Sequence, residues 1–207
     1  MTPTLPPENG SYDWSFLDAR ITETVATTQG KAGLNAAPMG IIREDGDGYA
    51  RLWEGSDTLE NVRSTRRVVV NFSSDPVVYV EGALSELGSE YFETHADTDP
   101  PRLSDEYADA WLRCSAESVR EERGGDVERW RLVPEEGETR RRRLFTVDRG
   151  FNSVIEATVH ATRVEFEPEL EELILHHLGI ARKCGGDRVR EAADLIEEYV
   201  DVEADAE

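Results

Sequence analysis

Two short stretches combine residue types that suit a ligand that is flat at one end and phosphorylated at the other. The first is Asn35-Ala36-Ala37-Pro38-Met39-Gly40, whose small side chains leave backbone groups open to a flat ligand. The second, Gly55-Ser56-Asp57-Thr58-Leu59-Glu60-Asn61, predicts a strand end, a hydroxyl-rich turn and a helix start. A helix N-terminus presents unpaired N–H groups and a partial positive charge, and Ser56 and Thr58 add hydroxyl donors. The second stretch is therefore a candidate phosphate seat.

The residues around these stretches predict strands and short helices. Runs of β-branched residues with partial alternation favour strands, and the sequence Glu44-Asp45-Gly46-Asp47-Gly48 predicts a hairpin turn. Either Ser56 or Asp57 would cap the short helix that follows them. The predicted elements in this half are strands at Asp18–Thr28, Leu34–Arg43, Tyr49–Glu54 and Arg67–Phe72 and helices at Thr58–Thr65 and Pro76–Leu84.

The second half predicts a meander of strands followed by helices. Residues 85–109 are acidic and predict a long surface excursion. The following strands are predicted at Ala110–Glu121, Val127–Val133 and Arg140–Val147, with a turn at Pro134–Glu138. Helical spacing then begins at an Asn152 cap and continues in helices at Glu169–Leu178 and Asp187–Val200. The chain is thus predicted to be mainly β with helices (α+β), with a β-rich body and a C-terminal helical tail.

The charge of the chain excludes several classes of partner. The 207 residues carry 44 Asp and Glu against 23 Lys and Arg, a formal net charge of -21, and only Lys31 and Lys183 are lysines. Such a surface repels nucleic acid and anionic membranes, so we expect no nucleic-acid and no membrane partner. The acidic surface and the scarcity of lysine resemble proteins of salt-loving archaea, whose cytoplasm screens self-repulsion. We therefore hypothesise a halophilic protein.

Cysteine usage and hydropathy predict a cytoplasmic protein. Cys114 and Cys184 have no metal or redox spacing, which is typical of reduced thiols. No run approaches the roughly 20 apolar residues needed to cross a bilayer. We expect a soluble, cytoplasmic chain.

No catalytic constellation or metal site is visible. No nucleophile has a base at a known spacing, and the adjacent His176 and His177 do not share a helical face. His160 and Arg163, at a three-residue spacing, face one side of a predicted helix and either reach a pocket or pack there. The residues therefore predict no metal ligands and leave catalysis unassigned.

The order of motifs resembles a known family. Asn35-Ala36-Ala37-Pro38, then a strand, then Ser56-Asp57-Thr58-x-x-Asn61-Val62-x-x-Thr65 and Val68-Val69-Val70-Asn71, resembles flavin reductase-like proteins with the FMN-binding split barrel. The run Ala110–Cys114 resembles the strand after the variable excursion in that family. The pattern Asn152–Arg163 resembles an archaeal group that appends helices to this barrel. The resemblance implies an antiparallel split barrel at residues 18–150, after a lead-in at 1–17 and before a helical extension at 151–207.

The same resemblance implies a cofactor and an assembly. It implies a homodimer with FMN at the subunit interface, the phosphate near Ser56–Asn61 and the ring against Asn35–Gly40. The stretch from Arg51 to Arg67 holds four arginines against three acids, so we expect a local positive surplus there. Pro38 is expected to end ladder pairing and Met39 to offer a soft surface to the ring. The candidate flavin-binding residues are Asn35, Ala36, Ala37, Pro38, Met39, Gly40, Ser56, Asp57, Thr58, Asn61 and Asn71.

The leading hypothesis is an FMN-binding flavoprotein that acts as a flavin-dependent reductase with an unknown electron partner. One alternative is a binding or structural protein on the same barrel, and another is an enzyme that uses a different cofactor such as deazaflavin or haem. Simpler roles also exist for single residues. Ser56 and Thr58 suit ordinary helix capping, Asn35 and Asn71 suit strand-end hydrogen bonds, and Pro38 and Met39 suit a bulge and a core position.

Overall fold

The part of the chain that the structure describes contains eight strands and five α-helices, and the β-branched runs and the segments of helical period form most of them. The computed structural model describes residues 12–93, 100–142 and 146–200, and those ranges contain the following elements. In chain order they are β1 (Ile21–Gly30), β2 (Gly33–Glu44), β3 (Asp47–Trp53), α1 (Asp57–Thr65), β4 (Arg67–Phe72), α2 (Pro76–Leu84), β5 (Phe92–Glu93), β6 (Arg102–Leu103), β7 (Ala110–Glu122), β8 (Val127–Thr139), α3 (Arg149–Ala161), α4 (Glu171–Cys184) and α5 (Asp187–Val200).

Six of the strands close into an antiparallel barrel in the order β1-β2-β3-β8-β7-β4, with β4 pairing back onto β1. This confirms the predicted α+β class and the antiparallel barrel. Pairing between β2 and β3 is limited to Ile42–Glu44 against residues 47–49, whereas β1 pairs with β2 along its whole length. Within the described strands, residues 33–41 therefore have a strand neighbour on one edge only. We call this free edge of β2 the split edge.

Alternation along the strands fills the barrel, and α1 contributes to the same core. Leu59 and Val62 lie three residues apart on the inner face of α1, as the sequence predicts, and each is 1% exposed. Side chains of this kind drive folding through the apolar area that they remove from water. The cluster comprises Trp14, Leu17, Ala26, Met39, Ile41, Ala50, Leu52, Leu59, Val62, Val68, Val70, Leu112, Cys114, Ala116, Trp130 and Leu132.

The N-terminal segment departs from expectation, because its last residues belong to the barrel core. Trp14 and Leu17 fall in the predicted lead-in, yet they are 1% and 7% exposed. The Trp14 Nε1 donates a hydrogen bond of 2.8 Å to the Leu132 carbonyl, which satisfies the one polar group of the buried indole. Prolines and a glycine indicate a loose segment, and one aromatic residue at its end is enough to anchor it. Residues 1–11 of this prediction lie outside the described residues.

Close contact between Gly48 and Trp14 gives a stability prediction. A Cβ at Gly48 would lie 2.5 Å from the Nε1 and Cε2 atoms of Trp14, so the indole must move. We expect Gly48→Ala to reduce the free energy of unfolding by about 1–3 kcal/mol, as overpacking does. Urea unfolding followed by tryptophan fluorescence measures this change. Gly179→Ala is the control, because it meets no atom within 4 Å in α4. We expect it not to destabilise the chain, and equal effects of the two substitutions would contradict the prediction.

The structure corrects the predicted turn at Pro134–Glu138 and the predicted strand at Arg140–Val147. β8 runs unbroken through Pro134 to Thr139, and residues 140–142 and 146–148 are not strand. The register shifts opposite Arg113 and Cys114, so that Pro134 and Glu136 are paired while Glu135 is extra. A bulge tolerates a proline because the ladder is already interrupted there. Residues 143–145 of the predicted strand lie outside the described residues.

The remaining helices form a second compact unit, which comprises residues 75–87 and 143–207 as far as they are described. α2 lies between barrel strands in the sequence, but its Val77 and Val80 belong to the apolar cluster of α3, α4 and α5. α3 is capped by Asp148, whose carboxylate accepts from Phe151 N at 3.0 Å, rather than by Asn152 as predicted. Asp148 is the N-cap because its carboxylate accepts a hydrogen bond from an open N–H of the first turn of α3.

Among the described residues, no helix combines the length and the apolar character that a bilayer crossing requires.

Candidate functional site

The start of α1 is a capped helix N-terminus. Ser56 is its N-cap: its Oγ accepts a hydrogen bond from Leu59 N at 3.2 Å and donates one to the Trp53 carbonyl at 2.7 Å. Of the two predicted cap residues, Ser56 is therefore the one used. Both hydrogen-bonding functions of its hydroxyl are occupied, so Ser56 shapes the turn that exposes the next amides.

Three donors at this helix start have no acceptor among the residues that the structure describes. They are the backbone N–H groups of Asp57 and Thr58 and the hydroxyl proton of Thr58. Thr58 is 7% exposed and its Oγ1 accepts a hydrogen bond from Asn35 Nδ2, so the side chain is fixed in place. Open amides at a helix N-terminus, together with the helix dipole, favour an anion. The start of α1 is therefore a candidate anion site, and its assignment to a phosphate stays a prediction.

A hydrogen bond joins this helix start to β2. Asn35 Nδ2 donates to Thr58 Oγ1 at 2.8 Å, so two candidate residues 23 positions apart are in contact. Asn61, one turn further along α1, binds the turn between β1 and β2: its Oδ1 accepts from Ala32 N at 2.9 Å, and its Nδ2 donates to the Gly33 carbonyl at 2.8 Å. The structure thus brings the two predicted stretches together.

The stretch from Asn35 to Gly40 lies on β2 along the split edge, and two details correct the expectation. Pairing with β1 does not stop at Pro38, which lies opposite Val25 in an unbroken register. Proline is tolerated here because one edge of β2 lacks a neighbouring strand. Met39 is 6% exposed and belongs to the barrel core, so it does not present a surface to a flat ligand. Ala36, Ala37 and Gly40 keep this part of the strand free of bulky side chains.

The expected surplus of positive charge is neutralised by distant acids. Arg51 pairs with Glu122 at 2.8 Å, and Arg63 pairs with Glu54 at 2.6 Å and with Glu128 at 2.5 Å. These carboxylates raise the pKa of Arg63, chiefly through their hydrogen bonds. Glu122 and Glu128 lie outside the stretch that was counted, so the local sequence could not reveal them. Arg51 and Arg63 are therefore engaged by acids, and the open donors at the start of α1 are amide and hydroxyl groups.

Asn71 lies apart from the helix start. It is fully buried on β4, and its Nδ2 donates to the Val25 carbonyl at 2.9 Å. Its Oδ1 accepts from Leu103 N at 3.0 Å, which attaches the short pair of strands β5 and β6 to the barrel. Val25 separates Asn71 from Pro38 in the pairing register, which places the two about 10 Å apart at the usual strand spacing. The side-chain amide of Asn71 thus binds backbone groups of β1 and β6.

Two charged or aromatic groups near the helix start had no signal in the sequence. The Arg123 guanidinium lies 5.1 Å from the ring centroid of Trp53, the residue whose carbonyl Ser56 binds. Arg123 belongs to the turn between β7 and β8, and Glu54 N donates a hydrogen bond of 2.9 Å to the backbone carbonyl of Asp126 in the same turn. Only the pairing of β3 with β8 brings this turn to Trp53, so no local pattern could have identified it.

Three histidines of the helical unit, His160, His176 and His177, lie close together. His160 on α3 stacks on His177 on α4 with ring centroids 5.7 Å apart, and His176 meets His177 edge-on. No group of three metal-ligating side chains with suitable geometry occurs in the described ranges. Burial, followed by repulsion from His160, lowers the pKa of His177, while Glu156 opposes the shift.

This pKa shift gives a pH prediction. Between the lowered pKa of folded His177 and its unfolded value near 6.5, the unfolded chain binds more protons. The helical unit is therefore expected to lose stability as the pH falls through that window. Helical circular dichroism during thermal unfolding measures the loss, and tryptophan fluorescence reports the barrel unit, which contains all four tryptophans. His177→Gln is expected to reduce the pH dependence. An unchanged slope in that variant would assign the effect to other groups.

Comparison with known proteins identifies first the fold and then the family of the chain. The barrel resembles that of a flavin reductase complexed with NADP+, with a TM-score of 0.50 and 13% identity over 60% of this chain and 81% of that one, a likeness of fold alone. Residues 22–141 match the N-terminal domain of the family described as protein of unknown function DUF447, and residues 148–198 match a second region of that family. The chain belongs to the DUF447 family.

Two archaeal structures are similar to the chain. An FMN-bound DUF447 protein from Methanosarcina mazei shares 34% identity over 86% of this chain and 94% of its own length, with a TM-score of 0.78. A flavoredoxin from Methanosarcina acetivorans shares 14% identity over 60% of this chain and 72% of its own, with a TM-score of 0.48.

Proposed function

We propose that this protein binds FMN, with the phosphate at the start of α1 and the ring along β2, and that it acts as a flavin-dependent reductase. The observation that carries the proposal is the set of open donors at Asp57 and Thr58, joined by the Asn35–Thr58 hydrogen bond to the split edge of β2. The FMN-bound relative, which is 34% identical, supports the same cofactor. The predicted cofactor thus agrees with the cofactor of a family member.

Each part of the site has a separate task in this proposal. The amides of Asp57 and Thr58 and the Thr58 hydroxyl donate to phosphate oxygens, where bonds to a charged acceptor are stronger than neutral ones. The small residues Ala36 and Ala37 let backbone groups on the split edge reach the polar rim of a flat ring. Bound FMN supplies hydride and single-electron transfer, while the protein binds and orients it.

A homodimer is part of the proposal. The split edge leaves backbone groups of residues 33–41 without a strand neighbour among the described elements, and Leu34 on it is 45% exposed. An exposed strand edge is a template for pairing with another chain, and covering it is one way in which native proteins protect it. A second copy over the split edge would cover this surface and close the ring side of the site. Light scattering after size exclusion tests this, and a monomer that binds FMN at full affinity would contradict it.

We also propose a cytoplasmic location and adaptation to high salt. Cys114 and Cys184 are free thiols, and burial raises the pKa of the Cys114 thiol, which keeps it unreactive. The net charge of -21 is the observation that supports salt adaptation.

The exposed carboxylate of Asp57 opposes an anionic ligand at the helix start. We expect Asp57→Asn to tighten FMN binding by about two- to fivefold, because a like charge a few ångströms away costs about 1 kcal/mol in water. Riboflavin, which lacks the phosphate, should bind equally to both proteins. Fluorescence titration measures the two affinities. Weaker FMN binding in the variant would show that the carboxylate contacts the cofactor directly.

The first experiment for the proposed function is an absorbance spectrum of the purified protein, before and after incubation with FMN in concentrated salt. Bound flavin absorbance is expected, followed by bleaching when a nicotinamide donor is added without oxygen. A colourless protein that retains no FMN would contradict flavin binding. Bound flavin that accepts no electrons from a nicotinamide donor would favour the binding-protein alternative. A spectrum typical of deazaflavin or haem would favour a different cofactor.

A further inference from the structure

Two pairs of polar side chains hold α1 against the hairpin of β1 and β2. Thr28 and Asn35 are directly opposite each other in the pairing of the two strands. Thr58 and Asn61 lie three residues apart and therefore on one face of α1. Asn35 Nδ2 donates to Thr58 Oγ1 at 2.8 Å, and Asn61 Nδ2 donates to Thr28 Oγ1 at 3.2 Å. We call these four residues the polar clamp.

Within the polar clamp, Asn61 has its whole amide engaged by the protein. Its Oδ1 accepts from Ala32 N, and its two Nδ2 protons go to the Gly33 carbonyl and to Thr28 Oγ1. The side chain is fully buried. A buried amide with both protons and its oxygen in use has no donor left for a ligand. Direct contact between Asn61 and a cofactor would leave polar groups of the hairpin unsatisfied.

The end of β1 leaves little room between the hairpin and α1. A Cβ at Gly30 would lie 2.6 Å from Ser64 Oγ and 3.0 Å from Asn61 Oδ1. The φ of Gly30 is not in the left-handed region, so the glycine is required here by the contact and not by backbone strain. α1 is therefore held at a short, defined distance from the strand that continues into β2.

We propose that Asn61 is a positioning residue that sets the distance and angle between the phosphate donors of α1 and the ring strand β2. This inference rests on the proposed function, because it matters only for a ligand that uses both places. FMN joins two weak ligands, riboflavin and phosphate, and gains affinity when both subsites are engaged at once. Loosening the clamp should therefore reduce the advantage of the joined ligand and leave each separate part almost unaffected.

The test measures the affinity of the full-length protein, in the oligomeric state in which it is purified, for FMN, riboflavin and inorganic phosphate. Flavin binding is followed by fluorescence and phosphate binding by phosphorus NMR. We expect Asn61→Ala to lower the affinity for FMN by about tenfold or more, because a small misplacement of one subsite relative to the other can have an effect of that size. The affinities for riboflavin and for phosphate should change by less than about twofold. Thr28→Val, which removes one acceptor of the clamp, should weaken FMN in the same way by about threefold.

Thr27→Val is the matched control, because Thr27 is the neighbouring residue on β1 and is also fully buried. Its hydroxyl donates to the Pro101 carbonyl and accepts from Asn71 Nδ2, and both partners lie outside the clamp. Its ratio of FMN to riboflavin affinity should equal that of the wild type. The inference would be overturned if Asn61→Ala lost equal affinity for FMN and for riboflavin. It would also be overturned if the affinity for phosphate alone fell as much as the affinity for FMN, because that would indicate direct contact between Asn61 and the phosphate. If Asn61→Ala does not fold, Thr28→Val against Thr27→Val decides. A wild type that binds FMN no better than riboflavin would instead refute the proposed phosphate seat.

Discussion

Thr58→Val is expected to lower the affinity for FMN by about 10- to 100-fold while the affinity for riboflavin changes by less than about threefold. The substitution keeps the shape of the buried side chain and removes only its hydroxyl, which is the side-chain donor left open at the start of α1. A hydrogen bond to a charged group contributes about 1.5–3 kcal/mol, which corresponds to this range of affinity. Titrations of both flavins by fluorescence quenching provide the measurement.

Thr65→Val is the control on the same helix. The Thr65 hydroxyl donates to the Asn61 carbonyl at 2.9 Å, at the far end of α1 from the proposed phosphate seat. This variant should bind both flavins as the wild type does. Loss of Thr58 also removes an acceptor from Asn35 Nδ2, so unfolding in urea is measured alongside. Equal weakening of FMN and riboflavin in Thr58→Val would place the phosphate elsewhere.

The second large effect is expected from salt. The 44 Asp and Glu residues outnumber the 23 Lys and Arg residues by 21, so ion pairing cannot neutralise the negative charge of the chain. Raising the salt from 0.1 M to 1 M shortens the screening length from about 10 Å to about 3 Å. We expect the unfolding temperature to rise by roughly 10 °C over that range, because removing a few kcal/mol of electrostatic repulsion shifts the unfolding temperature of a chain of this size by that amount. Differential scanning fluorimetry in potassium chloride measures the shift.

Screening also weakens exposed ion pairs, such as those of Lys31 with Glu60 and of Arg131 with Asp47, and this opposes the shift. Exposed pairs of this kind contribute little, so repulsion among the excess acids should dominate. A variant that neutralises Asp187 and Glu198, two exposed acids of α5, should show a smaller salt dependence. Greater stability in dilute buffer than in concentrated salt would contradict the halophilic hypothesis.

Local signals were sufficient where an element depends on its own residues. β4 and α2 were predicted with their observed bounds, because a run of β-branched residues and an Asp-Pro helix start each act within a few positions. Predictions failed where a distant partner decided. Pro134 continues a strand because β7 opposite it accommodates a bulge, and Trp14 is buried because Leu132 accepts its N–H. Neither partner is visible from the surrounding sequence.

The sequence by itself determined the α+β class, a helix start at Ser56 or Asp57 with hydroxyl groups beside it, and an acidic composition, because these follow from residue types and short spacings, whereas the barrel was implied by the resemblance to a family. Only the tertiary structure decided which side chains have donors left for a ligand. Folding satisfied Ser56 and Asn61 with protein partners, left the Thr58 proton open, and neutralised Arg51 and Arg63 with acids from β7 and β8. Hydrogen-bond and charge balance depend on every group within a few ångströms, and the chain brings most of those groups from far away in sequence.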